Sequence, residues 1–320
     1  DNTFATNGYL TFKFGLTPFD TEGTVIALQA DGKIVVGGGT PFDPSLARLL
    51  PNGNFDPDFG TGGKLVVNPA DFVSIEMIQG LVIQPDQKIL VLATAWPVDG
   101  TGNWVTLAMR LLPDGSLDPA FSGDGVAEID FQAGTSEHCT DLVLQPDGKI
   151  IAAANGSTGA IARLLPNGAL DQTFGNAGIF QFPQGRIYDL ELAADGKIIA
   201  AGEDGGKLLL ARLNTGGAFD ASFGSGGLVL TSLMSGSVRA NAIAIQPDDQ
   251  KIVVTGYQYS NHLVCGRYLP NGALDAAFYP GNFFNQLLNG ANTGLKKVAL
   301  KPNGDIVTVG HYLNDFGQQD

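Results

Sequence analysis

The sequence predicts an all-β fold, a six-bladed β-propeller of four-stranded antiparallel blades. A first phrase, Leu-Gln-Pro-Asp-Gly-Lys-Ile at 144–150, recurs six times along the 320 residues at intervals of 48 to 61 residues. A period in the fifties is too long for leucine-rich or ankyrin units and is typical of propeller blades. Helical periodicity is missing between the repeats. We therefore expect one domain over residues 1–320, with a period of about 54 residues.

The first phrase predicts the first two strands of each blade. Asp147-Gly148 lies between two apolar runs, which indicates a hairpin, and we expect a type I′ turn with positive φ at both residues. The runs at 142–144 and 150–153 are apolar on both faces, as in sheets packed between other sheets. The blades should centre near Ile34, Ile89, Ile150, Ile198, Ile252 and Ile306.

A second phrase, Ala-Arg-Leu-Leu-Pro-Asn-Gly-Ala-Leu-Asp-Gln-Thr-Phe-Gly at 162–175, predicts the other two strands. The third strand, 160–165, ends at a Pro-Asn-Gly turn because proline cannot donate to the ladder. The fourth follows a glycine-rich corner, at about 179–182.

An arginine and an aspartate stand eight residues apart in each second phrase. An arginine in an apolar strand needs a partner if the next blade covers it, so we interpret the pairs as scaffolding. Calcium loops would need more carboxylates than any repeat contains. The pairs are Arg48 and Asp56, Arg110 and Asp118, Arg163 and Asp171, Arg212 and Asp220, Arg267 and Asp275; the phenylalanines predicted to plug the space between blades are Phe59, Phe121, Phe174, Phe223 and Phe278.

Composition excludes several functions. A net charge of −14 opposes binding to nucleic acid or an anionic membrane surface. No apolar run reaches the length of a membrane span. Two cysteines and three histidines, outside any metal-ligand spacing, predict neither a disulfide scaffold nor a metal site, and we expect no cofactor.

These two phrases resemble the bacterial delta-60 repeat, and the resemblance extends over nearly the whole chain. Departures are small: Gln87 replaces the turn glycine, Thr215 replaces proline, and one hairpin is longer at 248–250. The resemblance implies a propeller that is extracellular or part of a cell-surface protein. It carries no catalytic residues to transfer.

Binding is expected on the rim that carries the loops of variable length, because such loops on a rigid frame usually bind ligands. Aromatic side chains there could stack on a sugar or anchor a surface protein. Alternatively, they cover the apolar base of their own loops. The candidates are Trp96, Trp104, His138, Tyr257, Tyr259 and His262.

Catalysis has little support in the sequence, and we predict no enzyme. Cys139 follows His138 in the chain, which says little about a nucleophile and base pair. A glycosidase needs two carboxylates across a cleft, and Glu137, Asp189 and Glu203 are candidates that nothing singles out.

The chain ends suggest an incomplete blade. Asp1 to Gly8 matches the corner before a fourth strand, so the segment 8–14 is predicted as a strand of the last blade. The sixth blade then lacks its third strand and exposes an edge. We predict a non-enzymatic extracellular structural or adhesive propeller that self-associates through these strand edges, as a filament subunit. The alternatives are a missing strand belonging to a longer chain, and a glycan-binding or glycan-cleaving propeller that uses the variable rim.

Overall fold

The structure is a computed structural model that describes residues 3–14, 21–40, 43–98, 102–131, 135–233, 236–258, 262–280, 283–287 and 291–313. Within these ranges the chain forms strands and no helix, so no helix there could cross a membrane. The first half contains β1 (Glu22–Leu28), β2 (Ile34–Thr40), β3 (Asp43–Leu49), β4 (Lys64–Val66), β5 (Phe72–Ile75), β6 (Gly80–Ile83), β7 (Ile89–Pro97), β8 (Val105–Leu111), β9 (Val126–Ile129), β10 (His138–Leu144), β11 (Ile150–Asn155) and β12 (Gly159–Leu164).

The strands of the second half continue the same pattern. They are β13 (Ile179–Gln181), β14 (Arg186–Leu192), β15 (Ile198–Asp204), β16 (Lys207–Leu213), β17 (Leu228–Thr231), β18 (Val238–Ile245), β19 (Ile252–Gln258), β20 (His262–Tyr268), β21 (Phe283–Leu287), β22 (Ala291–Leu300) and β23 (Ile306–Leu313).

Four-stranded antiparallel sheets recur along the chain, which confirms the predicted all-β class. Four sheets have the orders β1-β2-β3-β4, β10-β11-β12-β13, β14-β15-β16-β17 and β18-β19-β20-β21. In a fifth sheet both β5 and β6 pair with β7, so the first strand is interrupted between them. The last described sheet is the hairpin β22-β23.

Each first strand carries an irregularity in its pairing. In β14 the register shifts between Ile187 and Asp189, and in β18 between Ala240 and Ala242. Such bulges redirect one side chain. Asn241 uses this to donate its Nδ2 to the carbonyl of Leu295 on β22, at 2.7 Å. The strands β14, β18 and β22, here called the first strands of the second half, pack against one another in that order.

The predicted type I′ turn is wrong. The amide of Gly148 donates to the carbonyl of Gln145 at 2.9 Å, and only Gly148 of the turn has positive φ, at 81°. This is a three-residue loop, a type I turn followed by a left-handed residue. Pro146 stands at the second position of this turn, where its fixed φ near −65° favours type I. Proline also lacks the N–H that would pair beside a two-residue I′ turn at Asp147-Gly148. Gln87 and Gln250 adopt the same left-handed conformation in place of glycine.

The corner that follows a third strand packs against the next repeat. Phe59 and Phe121 are fully buried, and a Cβ added to Gly115 would lie 3.1 Å from the Phe59 ring. In four repeats the residue after the phenylalanine donates its amide to the turn of the following repeat, as from Gly60 to Asp114 at 2.9 Å. Glycine is thus required in this turn because the phenylalanine ring lies directly beside it.

The N-terminal residues form this corner but not the predicted strand. The amide of Gly8 donates to Phe4 at 2.9 Å, as Gly178 does to Phe174, and Ala5 donates to Asn52 of the first turn at 2.7 Å. Residues 8–14 pair with no sheet in the described chain, so the strand prediction is wrong there. The tail at 314–320, where the third strand of the sixth blade was expected to be missing, lies outside the described residues.

Contacts group the chain into two compact units. Unit 1 comprises Asp1–Ser157 and Ile161–Asp171, and unit 2 comprises Thr158–Ala160 and Gln172–Asp320. Unit 1 has a core around Val91, Leu107 and Phe59, and unit 2 has one around Leu210 and Val254. A single domain over the whole chain stays a prediction, as does the blade number of six.

Candidate functional site

The Arg–Asp pairs lie in contact in all five second phrases. The distance from arginine Nε to aspartate Oδ2 is between 2.7 and 2.9 Å. A lysine of the first phrase approaches the same oxygen to between 3.1 and 3.5 Å, a contact that the sequence analysis missed although the lysine recurs with the phrase. These lysines are Lys33, Lys88, Lys149, Lys197 and Lys251.

The arginines also reach the next repeat. Arg110 donates to the carbonyl of Pro166 at 2.6 Å, and its guanidinium carbon lies 4.7 Å from the centre of the Phe121 ring. Burial opposes ionisation of Asp118, but hydrogen bonds from Ala120 and Lys88 and the charge of Arg110 lower its pKa overall. The carboxylate is thus fully engaged in holding loops together and does not form an open site.

Three of the six rim candidates meet in unit 1. The rings of Trp96 and Trp104 lie 5.3 Å apart at 75°, and the ring of His138 lies 6.0 Å from that of Trp104. Nδ1 of His138 lies 3.3 Å from Oε2 of Glu76. Both tryptophans and Glu76 are half-buried, and His138 is exposed. We call Glu76, Trp96, Trp104 and His138 the rim cluster.

Two of the other rim candidates belong to the sheet β18-β19-β20-β21. Tyr257 pairs with Leu263 and lies 6.0 Å from the guanidinium of Arg239, while His262 pairs with Gln258. Tyr259 lies outside the described residues. These residues do not join the rim cluster, which is built from unit 1 alone.

The Cys139 thiol is poorly suited to act as a nucleophile. It is buried, and burial is the main cause that raises its pKa to about 12, so the reactive thiolate is strongly disfavoured. Glu137 is also buried and accepts a hydrogen bond from the amide of Phe131 at 2.9 Å. Among the described residues, no group of three His, Cys, Asp or Glu side chains could hold a metal.

Unit 2 contains a polar cluster on its first strands that the sequence analysis did not assemble. At its centre, Asp189 of β14 is buried and accepts two hydrogen bonds. The amide of Ile243 on β18 donates at 2.8 Å, and Nζ of Lys297 on β22 donates at 2.6 Å. Three neighbouring sheets therefore converge on one carboxylate. The first-strand cluster comprises Tyr188, Asp189, Glu191, Glu203, Arg239 and Lys297.

Glu191 is a carboxyl group of this cluster whose pKa is raised. It lies on β14 two positions from Asp189 and is half-buried. Burial raises its pKa to about 7, the negative charge of Asp189 adds to the rise, and the charge of Lys297 opposes it. A carboxyl group that is poised near neutral pH by burial and a specific charged neighbour is typical of functional sites.

Arg239 completes the cluster beside Tyr188. Its guanidinium carbon lies 3.3 Å from the centre of the Tyr188 ring, and the hydroxyl of Tyr188 donates to Oε1 of Glu203 at 3.0 Å. Burial is the main cause that raises the pKa of Tyr188 to about 12, which keeps the hydroxyl protonated. Nε of Arg239 is buried and has no hydrogen-bond partner among the described residues, so it is a donor without an acceptor.

Comparison with known proteins supports a propeller repeat. Residues 29–59, 84–121, 145–174 and 193–223 match the model of a family described as a domain of unknown function (DUF5122) beta-propeller. The matches support a β-propeller repeat family; the finer resemblance to the delta-60 repeat stays a prediction. No curated protein matches the chain.

Solved structures agree with this class. The periplasmic gluconolactonase PpgL of Pseudomonas aeruginosa is 15% identical, with coverage of 92% of this chain and 82% of that chain and a TM-score of 0.53. A glucose dehydrogenase is 13% identical, with coverage of 91% and 96% and a TM-score of 0.54. A protein from Lactobacillus plantarum is 16% identical, with coverage of 93% and 83% and a TM-score of 0.56. At these identities the likeness shows the fold, a β-propeller.

The prediction of a non-enzymatic adhesive or structural filament subunit is wrong. The solved structures of this fold include a lactonase and a dehydrogenase, and neither of these points to a filament or to adhesion. Single repeats lack catalytic motifs, but the first-strand cluster combines side chains from three repeats, which no single repeat reveals. An extracellular location stays a prediction.

Proposed function

We propose that the protein is a propeller hydrolase that opens a small lactone or ester at the first-strand cluster. The observation that carries this proposal is the contact of Asp189 with Lys297, at 2.6 Å, beside the half-buried Glu191. The three side chains supply a fixed cation, its orienting anion and a second carboxyl group. These are the parts that general-base hydrolysis requires.

Glu191 is the general base in this scheme. As a carboxylate it takes a proton from a water molecule, whose oxygen then attacks the carbonyl carbon of the substrate. When the tetrahedral intermediate collapses and the ester C–O bond breaks, the protonated Glu191 returns the proton to the leaving alkoxide. A pKa of about 7 gives Glu191 both forms at neutral pH, as this exchange needs.

Lys297 stabilises the oxyanion that develops during the attack. Its side chain is 49% accessible, and its Nζ contacts the buried carboxylate of Asp189. A preorganised cation beside the reacting carbonyl lowers the energy of the transition state more than that of the substrate. Asp189 is a positioning residue in this scheme, because its oxygens already have partners.

Arg239 binds a polar or anionic group of the substrate. It stacks on Tyr188, three positions before Glu191 on β14, which corresponds to a distance of about 10 Å along a strand. That length suits a small hydroxylated molecule with one end at Arg239 and its carbonyl near Glu191. A ligand with a hydrogen-bond acceptor would provide the buried Nε of Arg239 with the partner that it lacks.

Sugar lactones are the first substrates to test, because a gluconolactonase is among the propellers of this fold. That enzyme is periplasmic, and we extend the proposal to export of this protein across the cytoplasmic membrane.

Acid release from aldonolactones, followed in a pH-stat, tests the proposal. We expect the wild-type chain to accelerate hydrolysis and Glu191→Gln to lower kcat by a factor of about 100 or more. Glu22→Gln is the matched control, since Glu22 is an exposed residue on the first strand of another sheet. Equal rates for wild type and Glu191→Gln, or no acid release from a panel of lactones and esters, would contradict the proposal.

A further inference from the structure

We infer that the rim cluster of unit 1 is a binding site for a small organic cation, such as a quaternary or methylated ammonium group. The site is independent of the proposed hydrolase activity, because it uses none of the residues of the first-strand cluster. Its walls are three aromatic rings, from Trp96, Trp104 and His138, and Glu76 supplies a carboxylate at its edge.

The ring geometry favours a rounded ligand. Trp96 and Trp104 are inclined at 75°, so one ring meets the face of the other and the two form a corner. His138 lies over Trp104 at a tilt of 34°. A sugar ring stacks on a flat, open aromatic face, whereas an ammonium group with methyl substituents fits a corner of rings and contacts several faces at once.

The electrostatics of the site also favour a cation. The faces of indole rings carry negative charge density, and Trp gives the strongest cation–π contacts of the aromatic side chains. Glu76 adds a formal negative charge at the edge of the cluster, beside His138. The chain as a whole has a net charge of −14, which attracts cations to its surface.

The size of the cluster excludes a protein partner as the favoured ligand. A stable protein interface covers about 800 Å² on each side and about 20 residues or more. Here four side chains are involved, and only one of them, His138, is exposed. A ligand with a single ammonium group matches this area.

Tryptophan fluorescence gives a readout confined to this site, because Trp96 and Trp104 are the only two tryptophans of the chain. Choline and tetramethylammonium are the probes, and 3,3-dimethyl-1-butanol is the matched neutral control for choline. We expect saturable quenching by both cations and none by the alcohol. Glu76→Gln should weaken choline binding about tenfold, and Trp104→Leu by a similar factor.

His262→Ala is the control variant, since His262 is a rim residue outside the cluster, and it should bind choline as the wild type does. Glu76→Gln keeps the shape of the side chain and removes only its charge. Circular dichroism of this variant will separate a loss of binding from a loss of folding. The inference is overturned if the neutral alcohol quenches as strongly as choline, or if neither cation quenches.

Discussion

At the scale of single residues, Glu191 links the stability of the fold to its chemistry. The side chain is removed from water on β14 and lies near a second carboxylate, Asp189, so its charged form is disfavoured. The folded chain consequently binds a proton at this position over a range of pH in which the unfolded chain has released it. Ionisation of Glu191 above that range costs free energy of folding.

Replacement of this charge should therefore stabilise the protein at alkaline pH. The folded pKa of about 7 exceeds the ordinary value of 4.5, so the contribution of Glu191 is neutral below pH 4.5 and becomes destabilising as pH rises to 7. The difference between these two pKa values corresponds to a free energy of roughly 3 kcal/mol. At pH 8, Glu191→Gln should raise the free energy of unfolding by up to that amount.

Urea unfolding at pH 8 and at pH 4 measures this effect as a difference between the variant and the wild type. The difference should vanish at pH 4, where Glu191 is protonated in both states. A variant that is less stable than the wild type at pH 8, or equally stabilised at both pH values, would show that the pKa of the Glu191 carboxyl group is not raised in the folded chain.

At the scale of elements, the repeated corner is the unit that holds each sheet to the next. The arginine of the third strand binds the corner aspartate, and in several repeats it also reaches a proline carbonyl of the following repeat. The same aspartate also forms an ion pair with the lysine of the first hairpin. One carboxylate thus joins the first hairpin, the third strand and the corner.

Loss of such an aspartate should be severe. Asp171 has 5% of its side chain exposed and pairs with Arg163 at 2.9 Å and with Lys149 at 3.1 Å. Asp171→Ala leaves a buried guanidinium without its anion, which costs about 3–5 kcal/mol. Thermal melting should show a lower Tm for Asp171→Ala, with hydrolase activity per folded molecule unchanged.

Asp147→Ala is the control in the same repeat, because Asp147 pairs with Lys149 at the surface, with 58% of its side chain exposed. Its effect on Tm should be small, since exposed ion pairs contribute little. If both variants melt at the same temperature as the wild type, the corner aspartate is not a structural residue.

Elements with strong local signals could be predicted from the sequence, and those set by other elements could not. The third strand and the fourth strand follow from the second phrase because proline and glycine punctuate the chain at fixed places. The turn type was missed because Asp-Gly was considered without Pro146, which takes the second position of a type I turn and cannot donate to the hairpin ladder. The segment 8–14 carries a strand-like pattern but pairs with no described strand.

At the scale of the whole molecule, the candidate site arises from differences between repeats. Asp189 and Lys297 occupy the same position, just after the bulge of a first strand, in two repeats that are 108 residues apart. The repeat explains why both side chains point to the same region, but it does not specify which residue type stands in each copy. In the sequence, Asp189 is one of three candidate carboxylates that nothing singles out. Its contact with Lys297 depends on the packing of neighbouring sheets, which the sequence does not show.

The rim cluster shows the opposite case. Trp96, Trp104 and His138 were predicted as rim residues from loop variability alone, and the structure places them side by side. Glu76 was missed because it lies in the irregular piece between β5 and β6, where the repeat pattern is broken.

The pH dependence of kcat/KM for lactone hydrolysis tests the central claim most directly. Glu191 is active as a base only when ionised, so kcat/KM corrected for spontaneous hydrolysis should rise tenfold per pH unit below 7 and level off above about 7. Glu191→Gln should abolish that rise. A profile in the wild type that is flat from pH 5 to 8, or a rise that persists unchanged in Glu191→Gln, would contradict the assignment of Glu191 as the catalytic base.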